Sequence, residues 1–79
     1  MSKSEIKNGM NLRDAKWIAL HLGVMVEDVP GTGEVRFKYP GFKPVKANNR
    51  KKSASRAVIA LLRDVAELLE RSGIQPKAA

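Results

Sequence analysis

Apolar residues recur at helical spacing in two stretches of this chain, and between them they alternate with polar ones. Leu12, Ala15, Ile18, Ala19 and Leu22 fall three or four residues apart and build one apolar stripe, which predicts a helix over 12–22. Asn11 stands where an N-cap side chain would accept from the unpaired N–H groups of the first turn. Asp14 suits the second half of a capping box and the positive end of the helix dipole. Gly23 supplies the left-handed residue that closes a helix. The β-branched run Val24–Val29 predicts a first strand, followed by turn chemistry in Pro30-Gly31-Thr32-Gly33. Glu34 to Tyr39 alternates strictly, with Val35, Phe37 and Tyr39 on one face and Glu34, Arg36 and Lys38 on the other. Pro40-Gly41 turns the chain, and Phe42 to Ala47 returns as a third strand. Pro44 has no N–H to donate, so this strand belongs at a sheet edge.

The second helical stretch is longer. Ala54, Ala57, Val58, Leu61, Leu62, Val65, Leu68 and Leu69 share one face, while Ile59 and Ala66 fall beside it. Arg63, Asp64, Glu67, Glu70 and Arg71 mostly take the other side, with Glu67 and Arg71 at i,i+4 spacing. Gly73 stops the pattern, so the helix runs from 51 or 53 to 72. The order α-β-β-β-α with short connections predicts an α+β fold: a three-stranded antiparallel meander with two helices packed on one face. Residues 11–73 form this single domain, with 1–10 a flexible lead-in and 74–79 a flexible tail.

Composition narrows the field. A chain of 79 residues allows one small core, and 43% hydrophobic content is enough to fold it. The absence of cysteine excludes disulfides and thiolate metal sites, and a lone histidine leaves no basis for a zinc centre. No metal or cofactor is expected. No apolar run reaches membrane-spanning length and the first residues lack a signal-peptide core, so the expected location is cytoplasmic, without a membrane partner.

The charge sharpens the picture most. Fifteen Lys and Arg against eight Asp and Glu give a net charge of +7. Arg36, Lys38, Lys43, Lys46, Arg50, Lys51, Lys52 and Arg56 fall within one segment that has no acidic residue. The rest of the chain is close to neutral. With the second helix starting near 51, Lys51, Lys52 and Arg56 project from its first turns, where cations oppose the dipole at a cost of a few tenths of a kcal/mol each. A phosphate shared between these side chains and the helix N–H groups removes that conflict. These eight residues are the candidate nucleic-acid-binding set.

The stretch Asn48-Asn49-Arg50-Lys51-Lys52-Ser53-Ala54-Ser55-Arg56-Ala57, running into an Ala/Leu-rich helix, resembles the last helix of double-stranded-RNA-binding domains. By that resemblance Lys51 and Lys52 would hold phosphates across an RNA major groove. The element order also looks like that of the HicA-type mRNA interferase toxins. The Gly-Pro-x-His signature of the RNA-binding family is replaced here by Gly31-Thr32-Gly33-Glu34, and the HicA catalytic histidine would fall near the same glycine.

The remaining residues read as structural. His21 sits near a helix C-terminus, where a cation is favoured, and has no orienting partner legible in the sequence. Trp17 lies beside the first apolar stripe and reads as the rim of the core; Phe37 and Tyr39 face the core rather than stacking on bases. Ile59, off the main stripe, marks a small partner contact or an isolated exposed residue. Gly31-x-Gly33 is a turn without the context of a dinucleotide site. The expected function is a small basic module contacting the phosphate backbone of structured nucleic acid, RNA favoured over DNA. The alternatives are a HicA-like interferase or a basic domain that docks an acidic protein partner.

Overall fold

The computed structural model describes residues 5–73, so the expected tail at 74–79 and the first four residues lie outside the described residues. The elements are α1 (Leu12–Leu22), β1 (Met25–Asp28), β2 (Glu34–Lys38), β3 (Val45–Asn48) and α2 (Arg56–Ser72). The strands form one antiparallel sheet in the order β1-β2-β3. Val26, Phe37 and Val45 share one row of the sheet, and Asp28, Val35 and Ala47 the next. Val35 and Phe37 are completely buried. Helix α1 lies against β1, α2 against β3, and the helices against each other, so one sheet face is covered. This is the α+β meander that the alternation at 34–39 and the two stripes demand.

Local chemistry sets the first helix. The Asn11 side chain accepts from the Asp14 N–H at 2.7 Å, and Gly23 ends the helix with φ 85°. The strands are shorter than expected at both ends of the sheet. Val24 leaves the ladder to enter the core, its N–H going to the Ala19 carbonyl at 2.8 Å. Phe42 to Pro44 stay outside β3: the Phe42 N–H turns back to the Tyr39 carbonyl, and Pro44 precedes the first paired residue. β3 is an edge strand, as expected, with Pro44 just outside its ladder.

Helix α2 differs more. It begins at Arg56, with Ser55 as the N-cap accepting from the Val58 N–H, so Lys51 and Lys52 precede the helix rather than project from its first turns. An isolated antiparallel bridge between Asn11 and Ser53 ties the chain just before the helix to the start of α1, so the helix does not begin earlier. Its buried face is also rotated from the expected stripe. Ile59 and Ala66 are buried, whereas Ala57 is exposed and Leu68 is 41% exposed. The helix has two neighbours, the sheet and α1, and the buried arc turns to serve both. The Glu67–Arg71 pair forms as expected at 3.3 Å.

The packed unit also takes in residues upstream of the expected boundary at 11. Ile6 is fully buried in the core and its carbonyl accepts from Arg63 Nε at 2.7 Å. No helix among the described residues is long and apolar enough to cross a membrane.

Candidate nucleic-acid interface

The segment from Asn48 to Ala54 is held at several points. The Asn49 N–H donates to the Gly33 carbonyl at 2.8 Å, and the Arg50 N–H to Asn48 Oδ1 at 2.8 Å. The Lys51 N–H donates to the Asn48 carbonyl at 3.0 Å. Across the Asn11–Ser53 bridge, the Leu12 N–H donates to the Lys52 carbonyl at 2.7 Å and the Ala54 N–H to the Met10 carbonyl at 2.9 Å. Backbone bonds on both sides therefore carry Lys51 and Lys52 to the start of α1 rather than into α2.

There they meet two cations from the first helix. Asn11, Leu12, Arg13, Lys16, Asn49, Lys51 and Lys52 line an open hollow of about 460 Å³. No acidic residue lines it. Lys16 is oriented by Asn49, whose Oδ1 accepts from Lys16 Nζ at 2.6 Å while its Nδ2 donates to Asp28 Oδ1 at 3.0 Å. The Asn49 bond, joined by the charge and hydrogen bond of Lys16 3.5 Å away, holds the Asp28 carboxyl below its ordinary value of 3.8 despite some desolvation. Among the described residues no carboxylate pairs with Arg13, Lys51 or Lys52. An exposed cation with no partner keeps its full field for an anion.

Lys51 lies at a junction. It also lines a second hollow, of about 310 Å³, together with Lys46, Asn48, Ser53, Ser55, Thr32 and Glu34. A track of cations and neutral polar groups thus runs from Arg13 and Lys16, past Lys52 and Lys51, to Lys46 and the N-cap of α2. Glu34 on this track is engaged by Arg36 Nε at 2.8 Å.

The expected set of eight is divided by the fold. Lys46, Lys51 and Lys52 stand along the track, and the Arg50 side chain lies over Gly33 beside it. Arg56 is the exposed first residue of α2. Arg36 and Lys38 do lie on the open sheet face, but Glu27 faces both, at 3.8 Å and 3.4 Å. Their charge is largely spent within the sheet. Lys43 sits in the β2–β3 connection, at the opposite end of β2 from the 49–53 loop.

Arg13 and Lys16 were not in the expected set because they lie outside the all-basic segment. Their signal was present as an i,i+3 pair of cations on the polar side of the α1 stripe. Trp17 also departs from expectation. It is 55% exposed rather than tucked at the core rim, and its ring stacks on His21 at 5.5 Å between centroids and 12° between planes. Comparison with known proteins adds nothing to this geometry: no family model, curated protein or solved structure matches the chain.

Proposed function

We propose that this protein binds the sugar-phosphate backbone of structured nucleic acid, RNA in preference to DNA, through the track from Arg13 and Lys16 to Lys51, Lys52 and Lys46. The observation that carries the reading is the convergence of Arg13, Lys16, Lys51 and Lys52 on one hollow that no carboxylate lines. Arg13 from α1 and Lys51 and Lys52 from the loop, none of them faced by a carboxylate, produce a local field that neither segment has alone, with Lys16 beside them shared with Asp28, and phosphate is the anion repeated along a polymer.

The likeness of Lys51-Lys52-Ser53-Ala54 to the double-stranded-RNA-binding family is one of sequence, since here both lysines precede the helix instead of opening it; it favours RNA because that family uses its paired lysines on phosphates. The HicA-type likeness, carried by element order, points to the same polymer. Duplex RNA is recognised mostly by shape and backbone contacts, which a rigid polar track suits. Titrating duplex RNA and duplex DNA at two salt concentrations tests the reading. The expected result is binding that weakens steeply with salt and is lost in Lys51→Glu/Lys52→Glu. Absence of binding at low salt overturns it.

A further inference from the structure

We infer that the face of α1 carrying Trp17 is a stacking platform for an unpaired nucleobase of the strand whose phosphates occupy the adjoining groove. The inference rests on the phosphate-binding reading above and adds what part of the ligand is read. Trp17 is 55% exposed and Leu20, three residues on, is 58% exposed, so the outer side of a short helix presents an indole and an isobutyl group to solvent. Neither contributes to the core. One side of the indole is backed by the imidazole of His21, stacked nearly parallel at 5.5 Å. The ring is thereby held in one orientation before any ligand arrives, which lowers the entropy lost on stacking.

The surroundings select the occupant. Arg13 is four residues before Trp17, hence its neighbour on the helix surface, and it lines the basic groove. Trp17 itself walls a separate open hollow of about 540 Å³ with Met10, Ile18, Asp14 and Glu5. The Asp14 carboxylate on that wall repels phosphate, whereas Arg13 attracts it. A strand entering from the Arg13 side therefore keeps its phosphates in the groove and can place only its neutral part, the base, over the indole. Base–aromatic stacking beside a positively charged channel is how single strands are held without sequence preference.

The experiment uses the full chain and two RNA probes, a stem closed by an unpaired loop and the same stem as a blunt duplex. Trp17 is the only tryptophan, so indole fluorescence reports this site alone. The stem-loop is expected to quench it and the blunt duplex is not. Trp17→Ala should weaken stem-loop binding about 5- to 150-fold, the range that one stacked base is worth, and leave blunt-duplex binding unchanged. Trp17→Phe should restore most of the loss. If the stem-loop binds and Lys51→Glu/Lys52→Glu abolishes binding, yet Trp17 fluorescence and the Trp17→Ala affinity do not change, stacking is overturned and the groove reading survives. If neither probe binds, the groove reading falls and stacking falls with it. Sedimentation showing a dimer that Trp17→Ala converts to a monomer also overturns the inference, because a second copy then covers the face.

Discussion

The backbone N–H of Leu12 donates to the carbonyl of Lys52 at 2.7 Å, joining the first residue of α1 to the middle of the basic loop. One of the N–H groups that a helix start normally leaves unpaired is therefore used to position a cation. The neighbouring side-chain cap, Asn11 to the Asp14 N–H, fixes the helix end that makes this bond. Asn11→Ala should cost about 1 kcal/mol of stability, measured by urea unfolding. It should also weaken nucleic-acid binding, because Asn11 borders the groove lined by Arg13 and Lys16.

Charge removal separates the track from the open sheet face. Lys51→Gln/Lys52→Gln should lower the slope of log affinity against log salt by about 2, one unit for each phosphate no longer neutralised. Lys38→Gln should change it little, since Lys38 is already faced by Glu27 at 3.4 Å. Filter binding of duplex RNA across a salt series measures both. An equal effect from the two variants would show that the open sheet face is the contact surface.

Gly33 has φ +75°, and a Cβ there would lie 3.3 Å from Asn48 Oδ1, the atom that accepts the Arg50 N–H. Gly33→Ala should cost about 1–2 kcal/mol for the left-handed backbone. It should also disturb the loop that carries Lys51. Gly31→Ala, at φ +82° with open space around the new Cβ, is the matched control for backbone strain alone. Chemical denaturation gives the shared cost, and RNA affinity should fall only in the Gly33 variant.

The Asp28 carboxyl is held below 3.8 by Asn49 first and by Lys16 beside it. A depressed carboxylate contributes stability that is complete above the unfolded-state value and lost as pH falls through the folded-state one. The wild-type protein should therefore exceed Asp28→Asn in stability at neutral pH, with the gap closing below about pH 4. Thermal unfolding of both proteins from pH 7 to pH 2 checks this, and carboxyl carbon shifts follow Asp28 directly.

Ile6 is completely buried, although it lies in a polar stretch with no helical or strand period. Ile6→Ala should cost about 2–5 kcal/mol, as for other core truncations, and removal of residues 1–10 should cost more. Denaturant midpoints give the comparison. A loss under about 0.5 kcal/mol would show that Ile6 contributes no more than an ordinary surface residue.

Much of the fold was legible locally. Leu12 to Leu22 carry their own stripe, cap and stop, and the alternation of Val35 and Phe37 with charged residues defines the central strand. These signals work because side-chain periodicity is fixed by backbone geometry within a few residues. The limits of α2 were not legible in this way. Lys51, Lys52 and Ala54 continue a helical pattern in composition, and the pairing of Ser53 with Asn11, far away in sequence, keeps them out of the helix. The burial of Ile59 and Ala66 has the same origin, since a periodic stripe gives the apolar side of a helix but not the direction from which two neighbours approach.

The sequence by itself determined that this protein is a small α-β-β-β-α domain with its surplus charge concentrated between Arg36 and Arg56. The tertiary structure decided which of those charges remain available and what joins them. Sheet pairing set Arg36 and Lys38 against Glu27, and the bridge at Ser53 brought Lys51 and Lys52 to Arg13 and Lys16. It also left Trp17 on the outside, next to that groove. The physical reason is that net charge adds along a chain, whereas electrostatic potential adds in space, and only long-range hydrogen bonds and packing set the distances over which it adds.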